Sequence, residues 1–205
     1  MQYQREIINF TTEEAWLANR KLDLTSTDIA DLFGCGYSNY DELFNRKLKG
    51  LDSPFVPNKR SDWGKALEPC IAREFARLNG WTIRKKSEYM RIPELRVGSS
   101  FDYEISHEDI NESEIGNALL EVKNVGVDAW GRDWAKGFSI EAPAKIELQV
   151  QTELLVSGLN RCMLCVLVGG NDDKPLIRDV NKKIQDAILF KAREFWARID
   201  EMRKT

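Results

Sequence analysis

The chain has 205 residues, of which 42% are hydrophobic and 31% are charged, and its formal net charge is −3. This length suits one hydrophobic core, so we expect a single domain over residues 1–205. No apolar run approaches the roughly 20 residues that span a bilayer, and Met1 opens into polar sequence without a secretion signal. We therefore expect a cytoplasmic protein with no membrane partner.

The histidine and cysteine content restricts the chemistry. The only histidine is His107, in a polar stretch, which argues against catalytic triads, His-rich zinc sites and His general bases. Cys162 and Cys165 lie in an apolar segment that is predicted to be a strand. Their odd spacing points the two thiols to opposite faces, which favours core packing over a metal or redox site.

Helices are predicted through the first third of the chain, to about residue 80. One begins at Thr11 and ends near Arg20, and a second begins at Thr25–Asp28. The hydroxyl-rich start of the second helix offers hydrogen-bond donors to a phosphate, with Arg20 one short loop away. The alternative, favoured by these residues alone, is an ordinary helix cap beside a surface arginine.

A helix over Tyr40–Lys49 and a loop over 51–60 lead to a long helix that Ser61 or Asp62 is expected to cap. Glu68 lies about 100° round from the apolar stripe of that helix, at a margin where it can line a cleft. The helix ends at Gly80. Its predicted core stripe consists of Trp63, Leu67, Ile71, Phe75 and Leu78.

The segment over residues 81–180 is predicted to form the sheet core. Its strands are Trp81–Lys85, Glu88–Pro93, Phe101–Ile105, Ala118–Val125, Cys162–Gly169 and Lys174–Val180. The third and fourth are expected to be antiparallel neighbours joined by the polar turn that contains His107. With a closing helix over 181–205, the chain is assigned to the α/β or α+β class, a mixed sheet of about five strands flanked by helices.

Two acids and a lysine on neighbouring strands suggest metal chemistry. Glu121 and Lys123 share one face of their strand, and Asp102 lies on the adjacent strand. Carboxylates suit Mg²⁺ or Mn²⁺, which would polarise a phosphate and activate water. Lys123 would orient that water, or deprotonate it if burial lowers its pKa. Taken alone, however, a surface ion-pair ladder is the more common arrangement.

Two further segments could belong to a catalytic cleft, a tryptophan-containing stretch and the helix that follows it. Trp130 and Trp134 lie among glycines, which is compatible with a gate that stacks on substrate or with a short helix packed on the core. A helix that begins at Pro143 is apolar on several sides, so Gln149 and Gln151 need buried hydrogen-bond partners. A catalytic cleft would supply them.

Several segments, in order, resemble a known nuclease superfamily. Gly98–Asp102 followed by Leu120–Lys123 resembles the PD-(D/E)XK core, which is restriction-endonuclease-like. More narrowly, the chain looks like the phage lambda exonuclease and YqaJ-like viral recombinase family from residue 16 to about 170. The supporting segments are Arg20 with Thr25–Ile29, Trp63–Glu68, the two strands and Leu148–Gln151.

The resemblance implies how the metal would be held. Asp102 and Glu121 would bind Mg²⁺ with the Val122 carbonyl as a further ligand. Glu68 would support a second ion or its waters, and Mn²⁺ would be an acceptable substitute. Lys123 would position the nucleophilic water. These roles belong to the family and are carried over position by position.

The resemblance also implies contacts to DNA. Gln149 would help to hold the active centre, and Ser100 would contact the scissile phosphate. Arg20 and Thr27 match positions that hold a 5′-phosphate. The proline of the superfamily name is absent, since Phe101 precedes the acid, but only the acid performs chemistry.

Family members digest linear duplex DNA from the 5′ end, release mononucleotides and leave 3′ single-stranded overhangs. The resemblance implies a ring-shaped trimer, a single-strand annealing protein as partner, and a phage or prophage protein in a bacterial host. One alternative is a structure-specific or restriction-type endonuclease on the same core. Another is a non-catalytic DNA-binding assembly subunit.

Overall fold

The computed structural model describes residues 3–53, 56–106, 117–136 and 139–204. The predicted turn at His107 lies outside these residues. The helices are α1 Glu13–Arg20, α2 Ser26–Leu32, α3 Tyr40–Lys49, α4 Lys59–Asn79, α5 Val127–Ala129, α6 Ala144–Ser157 and α7 Lys182–Met202. A 3₁₀ turn spans Pro93–Leu95, and a π-helical turn spans Trp130–Trp134.

The strands form two larger sheets and one two-stranded ribbon. They are β1 Glu6–Ile8, β2 Leu24–Thr25, β3 Thr82–Lys85, β4 Tyr89–Ile92, β5 Val97–Ser99, β6 Tyr103–Ser106, β7 Ala118–Val125, β8 Ala135–Lys136, β9 Ser139–Ile140, β10 Arg161–Val168 and β11 Asp172–Asp179. The five-stranded sheet has the order β11-β10-β7-β6-β3, and the four-stranded sheet has the order β1-β4-β5-β2.

The five-stranded sheet confirms the predicted fold class. Its β7 and β10 are parallel and its other pairs are antiparallel, so the sheet is mixed. β6 and β7 pair antiparallel, with Tyr103 opposite Leu120, as their patterns predicted. The expectation of a single sheet was incomplete, because β4 pairs with β1 and β5 in the second sheet.

The large sheet separates two hydrophobic clusters. Ile71 and Phe75 of α4 pack with Cys165 on one face, and Leu154 of α6 packs with Cys162 on the other. Both cysteines are buried and free, which confirms the core-packing interpretation. Within the described residues no helix has both the length and the apolarity to cross a bilayer.

Helix α4 differs from its prediction in two respects. Its cap is Asn58, whose Oδ1 accepts hydrogen bonds from the backbone N–H groups of Arg60 and Ser61 at 3.0 and 3.1 Å. The predicted core stripe was too long, since Trp63 is 63% exposed and Leu78 55% exposed. The buried residues of the helix lie in its C-terminal half, at 71–76, and the helix packs on β7 and β10.

Candidate active site

A cleft of about 460 Å³ lies between α4, α6 and the end of β7. It gathers most of the predicted site residues from five different parts of the chain. Those lining it are Thr27, Glu68, Asp102, Glu121, Val122, Lys123 and Gln149. Two further lysines, Lys65 and Lys145, also line it, so its walls are both acidic and basic.

The alternation of β7 directs Glu121 and Lys123 to the same side, towards α6. The Lys123 Nζ donates to Glu121 Oε1 at 2.6 Å and to Gln149 Oε1 at 3.2 Å. The Gln149 Nε2 donates to the same Glu121 oxygen at 2.8 Å. Glu121 is 4% exposed, whereas Lys123 and Gln149 are half-buried at the cleft wall, so these charge-assisted hydrogen bonds connect the strand to the helix at the edge of the cleft.

Asp102 lies in the turn before β6 rather than on the strand itself. Its Oδ2 accepts a hydrogen bond from the Val122 backbone N–H at 2.9 Å, which holds the carboxylate against β7. Burial, together with the negative charges of Glu121 and Glu68, raises the pKa of Asp102 to about 8. Glu68 in turn accepts a hydrogen bond from Lys85 Nζ at 2.6 Å.

This carboxylate set fits a hydrated divalent cation. Burial and, after it, the neighbouring Glu121 and Glu68 carboxylates disfavour the ionised form of Asp102, and a bound cation would favour that form. Within the described residues no three His, Cys, Asp or Glu side chains are arranged to hold an ion by themselves. Mg²⁺ is compatible with this, because it keeps several waters and needs only one or two carboxylates.

The electrostatics of Lys123 bear on which of its two predicted roles is favoured. Burial lowers the pKa of Lys123, but the carboxylates of Glu121, Asp102 and Glu153 outweigh burial, and the net shift is upward. This direction favours the first of the two predicted roles, in which Lys123 orients the water, over the alternative in which a lowered pKa lets it deprotonate that water. The side chain is an ammonium, and it is available to orient a water or a phosphate oxygen.

A second group is centred on Trp16 of α1 and contains Arg20 and Ser100, which do not line the cleft. The Trp16 Nε1 donates to Ser100 Oγ at 2.9 Å, and the Arg20 Cζ lies 4.5 Å from the Trp16 ring centroid. In the described part of the chain no carboxylate oxygen lies within 4.0 Å of the Arg20 guanidinium nitrogens. Thr27 is exposed at the start of α2, with its hydroxyl 3.0 Å from that of Thr25.

Sequence comparison gives the family. The family model for the YqaJ-like viral recombinase domain matches residues 15–160. The chain belongs to this family. The YqaJ protein of Bacillus subtilis (strain 168) is 25% identical over 191 residues, which cover 90% of this chain. The match covers 56% of YqaJ, so this chain spans little more than half the length of that relative.

Solved structures share the fold of this YqaJ-like chain. The alkaline exonuclease LHK-Exo of Laribacter hongkongensis has a TM-score of 0.68 at 16% identity, over 92% of this chain and 93% of that chain. A phage related exonuclease from Haemophilus somnus 129PT has a TM-score of 0.57 at 13% identity, over 88% of this chain and 96% of that one. The recognised family and the expected nuclease-like fold are thus both confirmed.

The tryptophans expected at a gate occupy other positions. Trp134 is buried in the core, and Trp130 stacks on it with ring centroids 5.6 Å apart. Trp130 also packs against the core, and neither ring lines the cleft. Their placement favours the second interpretation, a short helical segment that packs on the body of this YqaJ-like domain.

Two residues at the site were not singled out from the sequence. Trp16 precedes Arg20 by four residues, a spacing that places both on one face of α1 and signals their contact. Glu153 follows Gln149 by four residues on α6 and accepts a hydrogen bond from its Nε2 at 2.9 Å. Gln151 is buried away from the cleft, where its Nε2 donates to Glu147 at 3.0 Å.

The crowded carboxylates predict a pH-dependent stability. The pKa of Asp102 is about 8 in the folded chain and about 3.9 in an unfolded chain. Between these pH values the folded state binds more protons, so stability falls as the pH rises. With a chelator present, Asp102→Asn should have a Tm at pH 8.5 that is higher than wild type by roughly 2–4 °C or more. Thermal unfolding should show this difference growing between pH 5 and 8; a constant difference would contradict the assignment.

Proposed function

We propose that this chain is a Mg²⁺-dependent 5′→3′ exonuclease that acts on linear double-stranded DNA. Family membership and the exonuclease fold support a nuclease function. The observation on which the proposal rests most is the single cleft that gathers Asp102, Glu121 and Lys123. Arg20, which has no carboxylate oxygen within 4.0 Å among the described residues, is the proposed anion-binding group. A carboxylate pair, an ammonium and an anion-binding group are the parts that phosphodiester hydrolysis requires.

Asp102, Glu121 and the Val122 carbonyl are the proposed Mg²⁺ ligands, with Glu68 near a second ion and Mn²⁺ as a substitute. When bound, the cation supplies a Lewis acid for the scissile phosphate and activates a water. The Lys123 ammonium donates hydrogen bonds to that water or to a phosphate oxygen. Gln149 holds the ammonium in place, because its Oε1 accepts from Lys123 Nζ at 3.2 Å.

The group around Trp16 is proposed to hold the 5′-phosphate and the scissile phosphate. The Ser100 Oγ accepts from the Trp16 indole, so its own hydrogen remains available for a phosphate oxygen. The Arg20 guanidinium offers a planar fork that matches phosphate geometry. Thr27 contributes a hydroxyl at the edge of the cleft.

Family resemblance is the basis for the remaining proposals. The enzyme would release 5′-mononucleotides and leave a 3′ overhang for a single-strand annealing protein during phage-type recombination. LHK-Exo was also solved with dAMP, a mononucleotide, which supports the proposed product class. A ring-shaped trimer around DNA would compensate for the net charge of −3, because threading limits dissociation.

The decisive experiment compares defined DNA ends. Linear duplexes carrying a 5′-phosphate or a 5′-hydroxyl, and a closed circular duplex, are incubated with Mg²⁺ or with EDTA. We expect mononucleotides from the linear duplexes only, faster from phosphorylated ends and none with EDTA. Cleavage of the circle would instead establish an endonuclease. Binding of DNA without any product would establish a non-catalytic subunit.

Replacing Arg20 should remove the preference for phosphorylated ends. A charge-assisted contact to phosphate is worth about 1.5–3 kcal/mol, which is roughly 10-fold to 100-fold in rate or affinity. Arg20→Gln should therefore lower kcat/KM on 5′-phosphorylated duplex by about that factor. Duplex with 5′-hydroxyl ends is the internal control and should be degraded at the wild-type rate. Equal losses on both substrates would mean that Arg20 does not read the 5′-phosphate.

A further inference from the structure

Glu153 is a buried carboxylate that the proposed chemistry leaves without a role. It is 1% exposed and does not line the cleft. In the described residues no cationic nitrogen lies within 4.0 Å of its oxygens, and its side-chain hydrogen-bond partner is Gln149. Burial, together with the negative charge of Glu121, raises the pKa of the Glu153 carboxyl group well above its ordinary value. Burying this polar group without an ion-pair partner is costly, and an apolar side chain would fill the same space at lower cost. The position therefore calls for a reason other than packing.

The Gln149 amide has three partners, which together define its orientation. Its two N–H hydrogens point to Glu121 Oε1 and Glu153 Oε1, at 2.8 and 2.9 Å. Its oxygen accepts from Lys123 Nζ at 3.2 Å. A flipped amide would set its NH₂ group against the ammonium and its oxygen against the Glu121 carboxylate. The acceptor oxygens of Glu121 and Glu153 on one side thus keep the amide oxygen directed at Lys123.

We propose that Glu153 is a positioning residue that fixes the Gln149 amide and, through it, the Lys123 ammonium. The structural part stands on the contacts above, and the effect on catalysis rests on the proposed nuclease function. Without Glu153 one amide hydrogen has no acceptor, so the amide can rotate away from Lys123. The ammonium then keeps its bond to Glu121 but loses the second bond that directs it into the cleft.

Gln151, on the same helix, is a buried polar residue whose hydrogen bonds have a structural role, and it provides a comparison for Glu153. It is completely buried, and its Oε1 accepts from the Asn181 backbone N–H at 2.8 Å. Its Nε2 also donates to the Asp179 carbonyl at 2.9 Å. These bonds tie α6 to the junction of β11 and α7. Among the described residues the Glu153 side chain makes no hydrogen bond to another element, since Gln149 lies on its own helix.

The positioning is tested first without DNA or metal. NMR compares wild type, Glu153→Met and Glu153→Gln, each treated with a chelator and carrying ¹⁵N-labelled glutamine side chains. The Gln149→Leu variant identifies the Gln149 signals, because they are missing from its spectrum. In Glu153→Met we expect one Gln149 amide hydrogen to exchange at least ~10-fold faster as its acceptor is lost. Glu153→Gln keeps an acceptor oxygen and should restore protection. An unchanged exchange rate of the Gln149 amide hydrogens in Glu153→Met would overturn the proposal. If the methionine variant does not fold, Glu153→Leu is measured in its place.

The catalytic consequence is tested by a double-mutant cycle. Glu153→Met should lower kcat for Mg²⁺-dependent nucleotide release by about 10-fold to 100-fold, the range expected for a displaced catalytic group, with KM for duplex unchanged. In a Gln149→Leu background it should cause no further loss. Additive losses would overturn the proposal. Gln151→Leu is the matched control, expected to lower Tm but to keep kcat. If wild type releases no nucleotides, the proposed function fails, and the NMR result alone decides the positioning.

Discussion

Asp102→Asn should abolish Mg²⁺-dependent nucleotide release, with kcat lower by at least ~10³-fold. The asparagine Oδ1 can still accept the hydrogen bond that the Val122 N–H donates to Asp102 at 2.9 Å, so the turn before β6 keeps its conformation. The substitution removes the negative charge of Asp102, which is proposed to hold the cation together with that of Glu121. Single-turnover assays on 5′-phosphorylated duplex measure the rate, and calorimetry with Mn²⁺ measures the loss of cation binding.

The control for this variant is an acid on the same sheet but outside the cleft. Asp173 is exposed on β11, so Asp173→Asn should retain both the rate and the cation affinity of wild type. If Asp102→Asn kept even a tenth of wild-type activity, the proposed metal site would be wrong. Because the same variant should gain stability in chelator at pH 8.5, a loss of activity through misfolding is separable from the loss of a ligand.

Much of the fold follows from local pattern. The apolar run of β7 and the polar stretch between it and β6 predicted their antiparallel pairing, and the predicted bounds of α3 are those observed. The second sheet could not be predicted, because a segment such as β4 has the same pattern whichever sheet it joins. The cap of α4 was misplaced because Asn58 and Ser61 are both good caps, and hydrogen bonds decide between them.

In the candidate site, too, local sequence patterns predicted some features, whereas those that depend on contacts between distant segments could not be predicted. Helical and strand periods placed Glu68, Glu121 and Lys123 on cleft-facing positions, and the cleft contains all of them. The direction of the Lys123 pKa shift was not predictable, because burial and neighbouring carboxylates oppose each other and only their distances decide. Contacts between distant segments, such as Trp16 with Ser100, leave no local signal in either segment.

Lys123→Met should separate catalysis from cation binding. Loss of the ammonium that orients the water or phosphate should lower kcat by about 10²–10⁴-fold, the range for a positioned proton-donating group. The ammonium lies 2.6 Å from a Glu121 oxygen, where it competes electrostatically with any cation that Glu121 binds. The affinity for Mn²⁺ should therefore be unchanged or higher in the variant, although its kcat for nucleotide release is much lower. Calorimetry and single-turnover assays on the same preparation measure the two effects.

The stability of this variant provides an independent check on the site. Without the ammonium, Glu121 is a buried charge with only the Gln149 amide as a side-chain hydrogen-bond partner among the described residues, so Tm in chelator should fall. A cation that binds Glu121 replaces the missing positive charge, so added Mg²⁺ should raise Tm more in Lys123→Met than in wild type. Lys174→Met, on β11 outside the cleft, should show neither effect. Equal Mg²⁺ responses in wild type and Lys123→Met would place the cation away from Glu121, because only a shared carboxylate makes the ammonium and the metal ion compete.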